Sequence, residues 1–265
     1  MTPRPVKGRP PLPHHPAPDD GTEVIHGVRA ALAVFDARRD DIVRVMFAGS
    51  LRREVGDLAR WAKAQGIPCV EATPAELERV ALAAQHEGLC VVARARRWAT
   101  AQEIGDLLVR SRGVAVALDR VRNPYNVGAI LRSAAFFGLD AAILGAPAPQ
   151  PGISPMAARV AEGGAEHLRL ARTTDLADTL ARLRARGVRV IGADAHATAG
   201  AFDHVFEKPA LLVVGHEREG LGDRVRAQCD TCVAVRGAGR VDSLNVGVAA
   251  GVLIAAITRS APKRR

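Results

Sequence analysis

The chain has 265 residues, 48% of them hydrophobic, and its 37 Lys and Arg against 28 Asp and Glu give a formal net charge of +9. This composition is typical of a globular protein with one large domain or two ordinary ones, and we favour two. The longest apolar run, Val246 to Ile257, is too short to cross a bilayer, and residues 1–20 contain no apolar signal region. We therefore predict a soluble, cytoplasmic protein with no membrane contact.

The basic charge is carried mostly by Arg, which suits an acidic polymer such as nucleic acid because guanidinium groups bind phosphate in a bidentate manner. An Arg-rich and Ala-rich sequence also reflects coding composition, so charge alone does not establish RNA binding. Aromatic residues make up only 3% of the chain, which favours phosphate and shape contacts over base stacking. The cysteines lack the spacing of a zinc site, so we predict reduced thiols and no metal; they are Cys69, Cys90, Cys229 and Cys232.

In chain order, residues 1–20 are Pro-rich and predict a disordered tail in which His14 and His15 are solvated. Helices and strands then alternate. We predict helices at "VIHGVRAALAVFDAR", "LRREVGDLARWAKAQG" and "TPAELERVAL", and strands at "IVRVMFAG", "IPCVEA" and "LCVVARA". Residues 21–95 are thus predicted to form a small α/β domain, and residues 96–112 a linker with a short helix.

Beyond the linker, strand-like segments recur at "VAVALD", "AAILG", "VRVIGAD", "ALLVVG" and "CVAV". Helical segments between and after them include "DLADTLARLRARG" and "SLNVGVAAGVLIAAIT". This alternation predicts an α/β domain with a largely parallel sheet over residues 113–260, followed by a basic tail at 261–265. Ligands of such sheets collect beyond the carboxyl ends of the strands, where the loops are "LDRVRNPYNVG", "VVGHEREGL" and "VAVRGAGRVDSLNVG".

The stretch "NPYNVGAILRSAAFFG" contains one cation in an otherwise apolar or small-residue helix. We predict that Asn126 caps this helix, that Pro124 precedes it, and that Arg132 lies mid-helix with small neighbours that leave room for a ligand. In the second loop, Glu217 follows the strand end at Gly215, where a plain turn with a solvated glutamate is the alternative explanation. In the third, Ser243 and Asn245 precede an apolar helix that needs a cap.

Taken together, "NPYNVGAILRSAAFFGLDAAIL", "LLVVGHEREGL" and "SLNVGVAAGVLI" resemble the three signature motifs of the SpoU (TrmH-type) RNA ribose 2′-O-methyltransferases of the SPOUT superfamily. Their order and spacing are also similar. "VAEGGAEHLRL" resembles the family's segment between the first two motifs, and residues 23–95 resemble its ribosomal-protein-like substrate-binding domain. The resemblance covers nearly the whole chain apart from its two tails.

The resemblance implies an α/β fold whose C-terminal segment is threaded as a trefoil knot, a rare exception to the rule that chains do not thread. It implies S-adenosylmethionine as cofactor, bound by the backbone of Gly215, Val235 and Leu244. It also implies a homodimer whose active site is completed across the interface, acting on structured RNA, with rRNA favoured over tRNA. The positions associated with catalysis and RNA binding are Arg132, Asn126, Glu217, Ser243 and Asn245.

Within this resemblance the motif-one arginine is often given the role of a base. A neutral guanidinium is costly, so we favour Arg132 as a charged group that binds the adjacent phosphate and stabilises the developing alkoxide. Asn126 is expected to orient Arg132 or the ribose, and Glu217 to anchor Arg132 or a neighbouring loop. The chain departs from the family at Arg236 and Gly237, where Pro and Met are usual, which predicts a looser cofactor loop or an extra cation facing RNA.

Two other functions compete with this interpretation. One is an RNA-binding protein of the same fold with weak or no methyltransferase activity, and the other is an enzyme of the superfamily that methylates a base nitrogen. Binding of S-adenosylmethionine discriminates the first alternative. Alkaline cleavage of the product discriminates the second, because ribose methylation blocks cleavage at that nucleotide and most base methylations do not.

Overall fold

A computed structural model describes residues 21–147 and 152–259. The tails predicted at 1–20 and 261–265, with His14 and His15, lie outside these ranges. The small domain contains β1 (Thr22–His26), α1 (Val28–Arg38), β2 (Ile42–Phe47), α2 (Gly56–Ala64), β3 (Cys69–Glu71), α3 (Pro74–Ala81) and β4 (Leu89–Arg94). Its sheet has the order β1-β4-β2-β3, in which only the β2–β3 pair is parallel.

The large domain begins with a helix. Its elements are α4 (Ala101–Ser111), β5 (Val114–Asp119), α5 (Pro124–Phe136), β6 (Ala141–Gly145), α6 (Pro155–Val160), β7 (Arg169–Thr173), α7 (Leu176–Ala185), β8 (Arg189–Ala193), β9 (Ala199–Gly200), β10 (Ala210–Val214), α8 (Asp223–Arg226), β11 (Thr231–Ala234) and α9 (Val246–Arg259). The sheet has the order β7-β6-β5-β10-β8-β11-β9, and all of its strand pairs are parallel. The predicted parallel α/β architecture is confirmed.

The central strands are buried on both faces because helices cover each side of the sheet, as the continuous apolar runs in the sequence require. Alternate residues of β5 enter two separate cores. Val116 packs in the core that includes Ile130 of α5 and Ile254 of α9. Ala117 packs in the opposite core with Leu108 of α4 and Leu180 of α7. The helix at the predicted linker, residues 96–112, thus contributes to the core of the large sheet.

Two sequence-based predictions of where helices begin in the small domain are wrong. "VIHGVRAALAVFDAR" is not one helix, because its first residues belong to β1, which pairs with β4, and the helix begins at Val28. The break occurs at Gly27, whose φ of 96° is not helical. The helix predicted from Leu51 begins only at Gly56. By contrast, Thr73 caps α3 in the predicted manner, with a reciprocal bond to Glu76.

A cluster of alternating charges joins the two domains. Glu166, in a short turn of the large domain, contacts Arg38 of α1 at 2.8 Å and Arg96 at 2.9 Å. Glu23 of β1 contacts the same two arginines, at 3.2 Å in the case of Arg96. The Glu166 and Arg96 side chains are only 6% and 7% exposed, so solvent screens this cluster weakly. The cluster fixes the small domain against the large sheet.

We predict that Glu166→Ala destabilises the protein by about 3 kcal/mol, because it leaves two largely buried guanidinium groups with Glu23 as their one shared carboxylate and only the more distant Asp41 beside Arg38. The control is Glu207→Ala, which removes the partner of Arg189 from a pair that is more than half exposed. We expect that control to cost less than about 1 kcal/mol. Urea denaturation measures both, and equal losses would contradict the role assigned to the buried cluster.

Candidate active site

Three loops meet at the carboxyl edge of the large sheet because β5, β10 and β11 run in the same direction. The first loop leads from Asp119 into α5, the second follows Val214, and the third runs from Val235 to the start of α9. Each strand is apolar up to its end, so the first polar side chains of the loops lie at this edge. The predicted convergence of the three motifs is therefore observed.

A directed chain of hydrogen bonds joins the three loops. Asn245 Nδ2 donates to Asn126 Oδ1 at 3.0 Å, and Asn126 Nδ2 donates to Glu217 Oε1 at 2.7 Å. The direction is fixed at both ends. The Asn245 Oδ1 atom already accepts from the Gly247 N–H, and a carboxylate can only accept. Asn126 is therefore held with its oxygen towards the third loop and its amide nitrogen towards the second.

The side chain of Asn126 is nearly buried, and its role differs from the predicted one. The residue that caps α5 is Asn123, whose Oδ1 accepts from the Tyr125 N–H at 2.9 Å, and Pro124 is the first residue of the helix rather than preceding it. The cap lies three residues earlier because Pro124 has no N–H to satisfy and suits the first helical position. Asn126 is thereby released for the contact with Glu217.

Asn245 has two functions at once. Its Oδ1 accepts from the Gly247 N–H at 2.8 Å and the Val248 N–H at 3.3 Å, which caps α9 as predicted for this segment. Its amide nitrogen simultaneously holds Asn126. Ser243 is exposed and makes no hydrogen bond within the described residues, so the structure brings it to the loop but not into the chain of contacts.

Arg132 lies apart from this cluster. Its Nη1 atom is 2.8 Å from Glu162 Oε1, and its side chain is 53% exposed. Of the two partners expected for Glu217, Arg132 is not in contact with it within a single protomer. Glu217 instead holds a neighbouring loop, by accepting a hydrogen bond, rather than an ion pair, from Asn126. Arg132 lies six residues after Asn126 in α5, which places the two side chains about 120° apart around the helix, on different faces. Asn126 likewise makes no contact with Arg132 in the described protomer.

Sequence reasoning missed the residue that supports the second loop. Asp119, at the end of β5, is 4% exposed, and its Oδ2 accepts from the Gly222 N–H at 2.8 Å. Arg120 then donates to the Gly220 carbonyl at 3.1 Å. A buried aspartate closing the apolar strand "VAVALD" was the available signal. These two contacts set the position of the turn that carries Glu217.

Gly215 serves the same turn. A Cβ atom there would lie 2.3 Å from the carbon of Gly220, because His216 and Gly220 pair through reciprocal main-chain hydrogen bonds. Packing within this turn therefore explains why position 215 is a glycine. The contact of Gly215 with the cofactor remains a prediction.

The third loop has the properties that an adenosine ligand requires. Within the described residues, none of the main-chain groups of residues 235–244 forms a hydrogen bond to another main-chain group. Val235 is half-buried against the core and Leu244 is 44% exposed, so apolar side chains lie beside free N–H and C=O groups. Main-chain donors and acceptors next to apolar surface suit the edge and faces of an adenine ring. S-adenosylmethionine therefore fits the residues that are present.

Arg236 is the second residue of this loop, at the position where the resemblance to the family leads us to expect proline. Its Nη2 atom donates to the Thr198 carbonyl, in the connection between β8 and β9. The side chain thus ties the loop to the neighbouring strand connection. The guanidinium is therefore engaged with this carbonyl and is not free to face RNA in the described protomer.

The thiols are not arranged for metal binding. Burial raises the pKa of Cys229 to about 12, and burial also raises the pKa of Cys90 to about 12, so both stay protonated at neutral pH. Among residues 21–147 and 152–259 no group of three or more His, Cys, Asp or Glu side chains is placed to hold a metal ion. In the same ranges, no helix combines the length and the apolar character needed to span a bilayer.

Comparisons with known proteins agree with this architecture. The model of the SpoU rRNA Methylase family matches residues 113–255, and the model described as RNA 2′-O ribose methyltransferase substrate binding matches residues 24–99. The 23S rRNA (guanosine-2′-O-)-methyltransferase RlmB of Ralstonia nicotianae is 38% identical over 233 residues, which are 86% of this chain and 91% of that protein. An uncharacterized tRNA/rRNA methyltransferase of Mycobacterium ulcerans is 35% identical over 73% of this chain, which spans only 63% of that relative.

Two solved structures share the fold. The SpoU methyltransferase AviRb from Streptomyces viridochromogenes, in complex with the cofactor AdoMet, superposes with a TM-score of 0.75 at 23% identity, covering 90% of each chain. An AdoMet-bound rRNA methyltransferase from Sinorhizobium meliloti also has a TM-score of 0.75 at 23% identity, covering 90% of this chain and 87% of its own.

We predict that Asn245→Ala lowers the free energy of unfolding by about 1–2 kcal/mol, because it removes both the cap of α9 and the contact with Asn126. Asn245→Ser retains a capping oxygen without the amide that reaches Asn126, so we expect a loss less than half as large. Urea denaturation measures both variants. An unchanged stability of Asn245→Ala would show that neither contact stabilises the fold.

Proposed function

The chain belongs to the SpoU rRNA methylase family, and from that premise we propose that it transfers a methyl group from S-adenosylmethionine to a ribose 2′-hydroxyl of ribosomal RNA. The observation that carries this proposal is the Asn245–Asn126–Glu217 chain beside the free main-chain groups of residues 235–244. The RlmB relative, matched over 91% of its length, supports 23S rRNA as the substrate class. We propose the cytoplasm as the place of action, because that is where ribosomal RNA would be met.

The reaction forms a bond between the ribose oxygen and the methyl carbon and breaks the bond from that carbon to sulfur, whose electron pair stays on sulfur. S-adenosylmethionine supplies the methyl group on a positively charged sulfur. The protein must hold the 2′-oxygen in line and stabilise the negative charge that develops as the hydroxyl proton passes to the adjacent phosphate and from there to water. We assign the stabilisation to Arg132, whose permanently charged guanidinium also binds the adjacent phosphate.

The Asn126–Glu217 pair has a supporting role in this proposal. Glu217 accepts from Asn126 through Oε1, and its Oε2 atom lies 4.0 Å from His216 Nε2 in a side chain that is 27% exposed. Asn126 in turn connects Glu217 to Asn245, which directly follows the loop of residues 235–244. A carboxylate beside that loop suits the cationic cofactor and orients hydroxyl groups of the ribose. We assign the backbone of Gly215, Val235 and Leu244 to the cofactor, and Ser243 to RNA contact.

We also propose a homodimer in which Arg132 of one protomer serves the cluster of the other. Within one described protomer Arg132 does not contact that cluster. The helices α5 and α9 each expose large apolar side chains, namely Tyr125 and Phe136 on α5 and Val248 on α9. Such surface favours association through these two helices. The insertion of β10 between β5 and β8 is compatible with a trefoil knot near the same edge, which we include in the proposal.

Exposed arginines mark a path for the RNA backbone across this edge of the sheet. Arg122, Arg218 and Arg240 are exposed, one in each of the three loops, and none forms an ion pair within the described part of the chain. Many other arginines of the domain are already paired with carboxylates, as Arg184 is with Asp230. An unpaired guanidinium binds phosphate without first losing a partner. We propose that these three arginines contact phosphates next to the reacting nucleotide.

We predict that Arg132→Ala abolishes methyl transfer and leaves binding of S-adenosylmethionine nearly unchanged, because the cofactor is held mainly by backbone groups. The substrate is rRNA from a strain lacking the gene, transfer is followed with labelled methyl groups, and calorimetry measures cofactor binding. Alkaline cleavage maps the product to a ribose. Normal methyl incorporation by Arg132→Ala would exclude the assigned role.

The same variant tests the shared site. Co-expression of Arg132→Ala with Glu217→Ala produces mixed dimers. If Arg132 acts across the interface, one of the two sites in each mixed dimer has both the native Arg132 and the native Glu217. We expect activity to return in the mixed dimers. If Arg132 acts within its own protomer, every site lacks one residue and activity stays absent.

We predict that Arg122→Gln/Arg218→Gln makes the negative slope of log binding constant against log salt concentration shallower by about 1.5. The reason is that about 0.7–0.9 counterions are released per phosphate contact, and two contacts are lost. The control is Arg110→Gln/Arg112→Gln, which removes the same charge from exposed, unpaired arginines at the opposite edge of the sheet. Fluorescence titration of an rRNA fragment measures both. Equal slopes for the two variants would contradict the proposed path.

A further inference from the structure

Glu162 lies between two arginines that belong to different domains. Its Oε1 atom is 2.8 Å from Arg132 Nη1, on α5 of the large domain. Its Oε2 atom accepts from Arg29 Nη1 at 2.6 Å, on α1 of the small domain. One carboxylate thus connects the arginine assigned to the reaction with the domain whose family model describes substrate binding.

The backbone around Glu162 is held in an uncommon conformation. Its φ is +47°, in the left-handed region, which costs a non-glycine residue about 1–2 kcal/mol. Gly163 follows with φ +86°, and a Cβ there would lie 2.5 Å from the Cβ of Ala33 in α1. A Cβ on Gly164 would lie 3.0 Å from the Cα of Arg132. The turn is therefore wedged between α1 and α5, where only small residues fit.

The same turn is anchored at its other end. Glu166 contacts Arg38 and Arg96 in the charge cluster between the domains. A turn fixed at both ends presents the Glu162 carboxylate in a defined place, so the strained φ is compensated by the surrounding contacts. A free solvated glutamate would need no such support.

The contact with Glu162 leaves most of the Arg132 guanidinium available. A guanidinium has five N–H donors, and the carboxylate lies beside one terminal nitrogen of a side chain that is 53% exposed. Restraining one edge reduces the rotamer entropy that Arg132 loses when the opposite edge binds phosphate or ribose oxygen. This is the effect expected of a group that orients another.

We propose that Glu162 is a positioning residue, which orients Arg132 and ties that orientation to the docked small domain through Arg29. This inference rests on the proposed function, because it presumes that Arg132 acts in methyl transfer. It adds a link between the substrate-binding domain and the reacting group. Arg132 then acts on RNA that is held by the small domain, and the same domain helps to set the direction of the Arg132 side chain.

The test is Glu162→Gln, which keeps the size of the side chain but cannot balance two cations. We expect kcat to fall at least about tenfold, because small displacements of a catalytic group have large effects on rate. The KM for RNA and the Kd for S-adenosylmethionine should stay within twofold. Arg29→Gln should lower kcat less, and the double variant should be no slower than Glu162→Gln, because both changes interrupt one link.

The matched control is Glu87→Gln. Glu87, in the small domain, contacts Arg159 of α6 at 3.1 Å, which is also an ion pair between domains but does not involve Arg132. We expect its kcat and KM to remain within twofold of the wild-type values. An equal fall in kcat for the two variants would overturn the proposal, because it would reflect general loosening of the interface. A wild-type kcat for Glu162→Gln would overturn it as well.

A second measurement needs neither RNA nor cofactor. The Nε–H signal of Arg132 in an NMR spectrum, assigned by its loss in Arg132→Lys, reports whether the guanidinium is held. We expect a resolved signal in the wild-type protein and in Glu87→Gln, and a broadened or exchanged one in Glu162→Gln. An unchanged signal in Glu162→Gln would overturn the proposal. Absence of methyl transfer by wild-type protein would instead refute the proposed function and leave this signal unaffected.

Discussion

The structure depends on one geometric constraint, which is that all strand pairs of the large sheet are parallel. Parallel strands bring the ends of β5, β10 and β11 to a single edge, although these ends are far apart in sequence. Side-chain hydrogen bonds then fix the loops to one another, from Asn245 through Asn126 to Glu217. Asn245, for example, also caps α9. The site is thus built from groups that stabilise the fold and present polar atoms at its edge.

Much of this arrangement was predictable from the sequence. The apolar strands and intervening helices predicted the parallel sheet, and the loops after Asp119, Val214 and Ala234 predicted where polar residues meet. Local signals failed where a tertiary contact decided the outcome. β1 was missed because its pairing with β4 is a long-range contact, and β7 was missed because its sequence, "RLART", lacks a continuous apolar run.

The contacts of the site were less predictable than its location. Capping propensity alone cannot decide between Asn123 and Asn126, and only the approach of Glu217 shows why the second is free. The partner of Arg132 was also unpredictable, because Glu162 belongs to neither the first nor the second loop. Its contact depends on how closely the turn after α6 packs against α5, where a Cβ on Gly164 would lie 3.0 Å from the Cα of Arg132. Sequence motifs identify which side chains matter more readily than they identify what each one touches.

The link from Arg236 to the Thr198 carbonyl has a consequence for the order in which the molecule assembles. Proline restricts a loop even in an unfolded chain, because the restriction is covalent. A hydrogen bond to a carbonyl between β8 and β9 exists only after those strands and β11 have come together. In this chain the restraint on the loop from Val235 therefore exists only in the folded sheet, and the contact that joins the loop to the β8–β9 connection also shapes the surface beside Leu244.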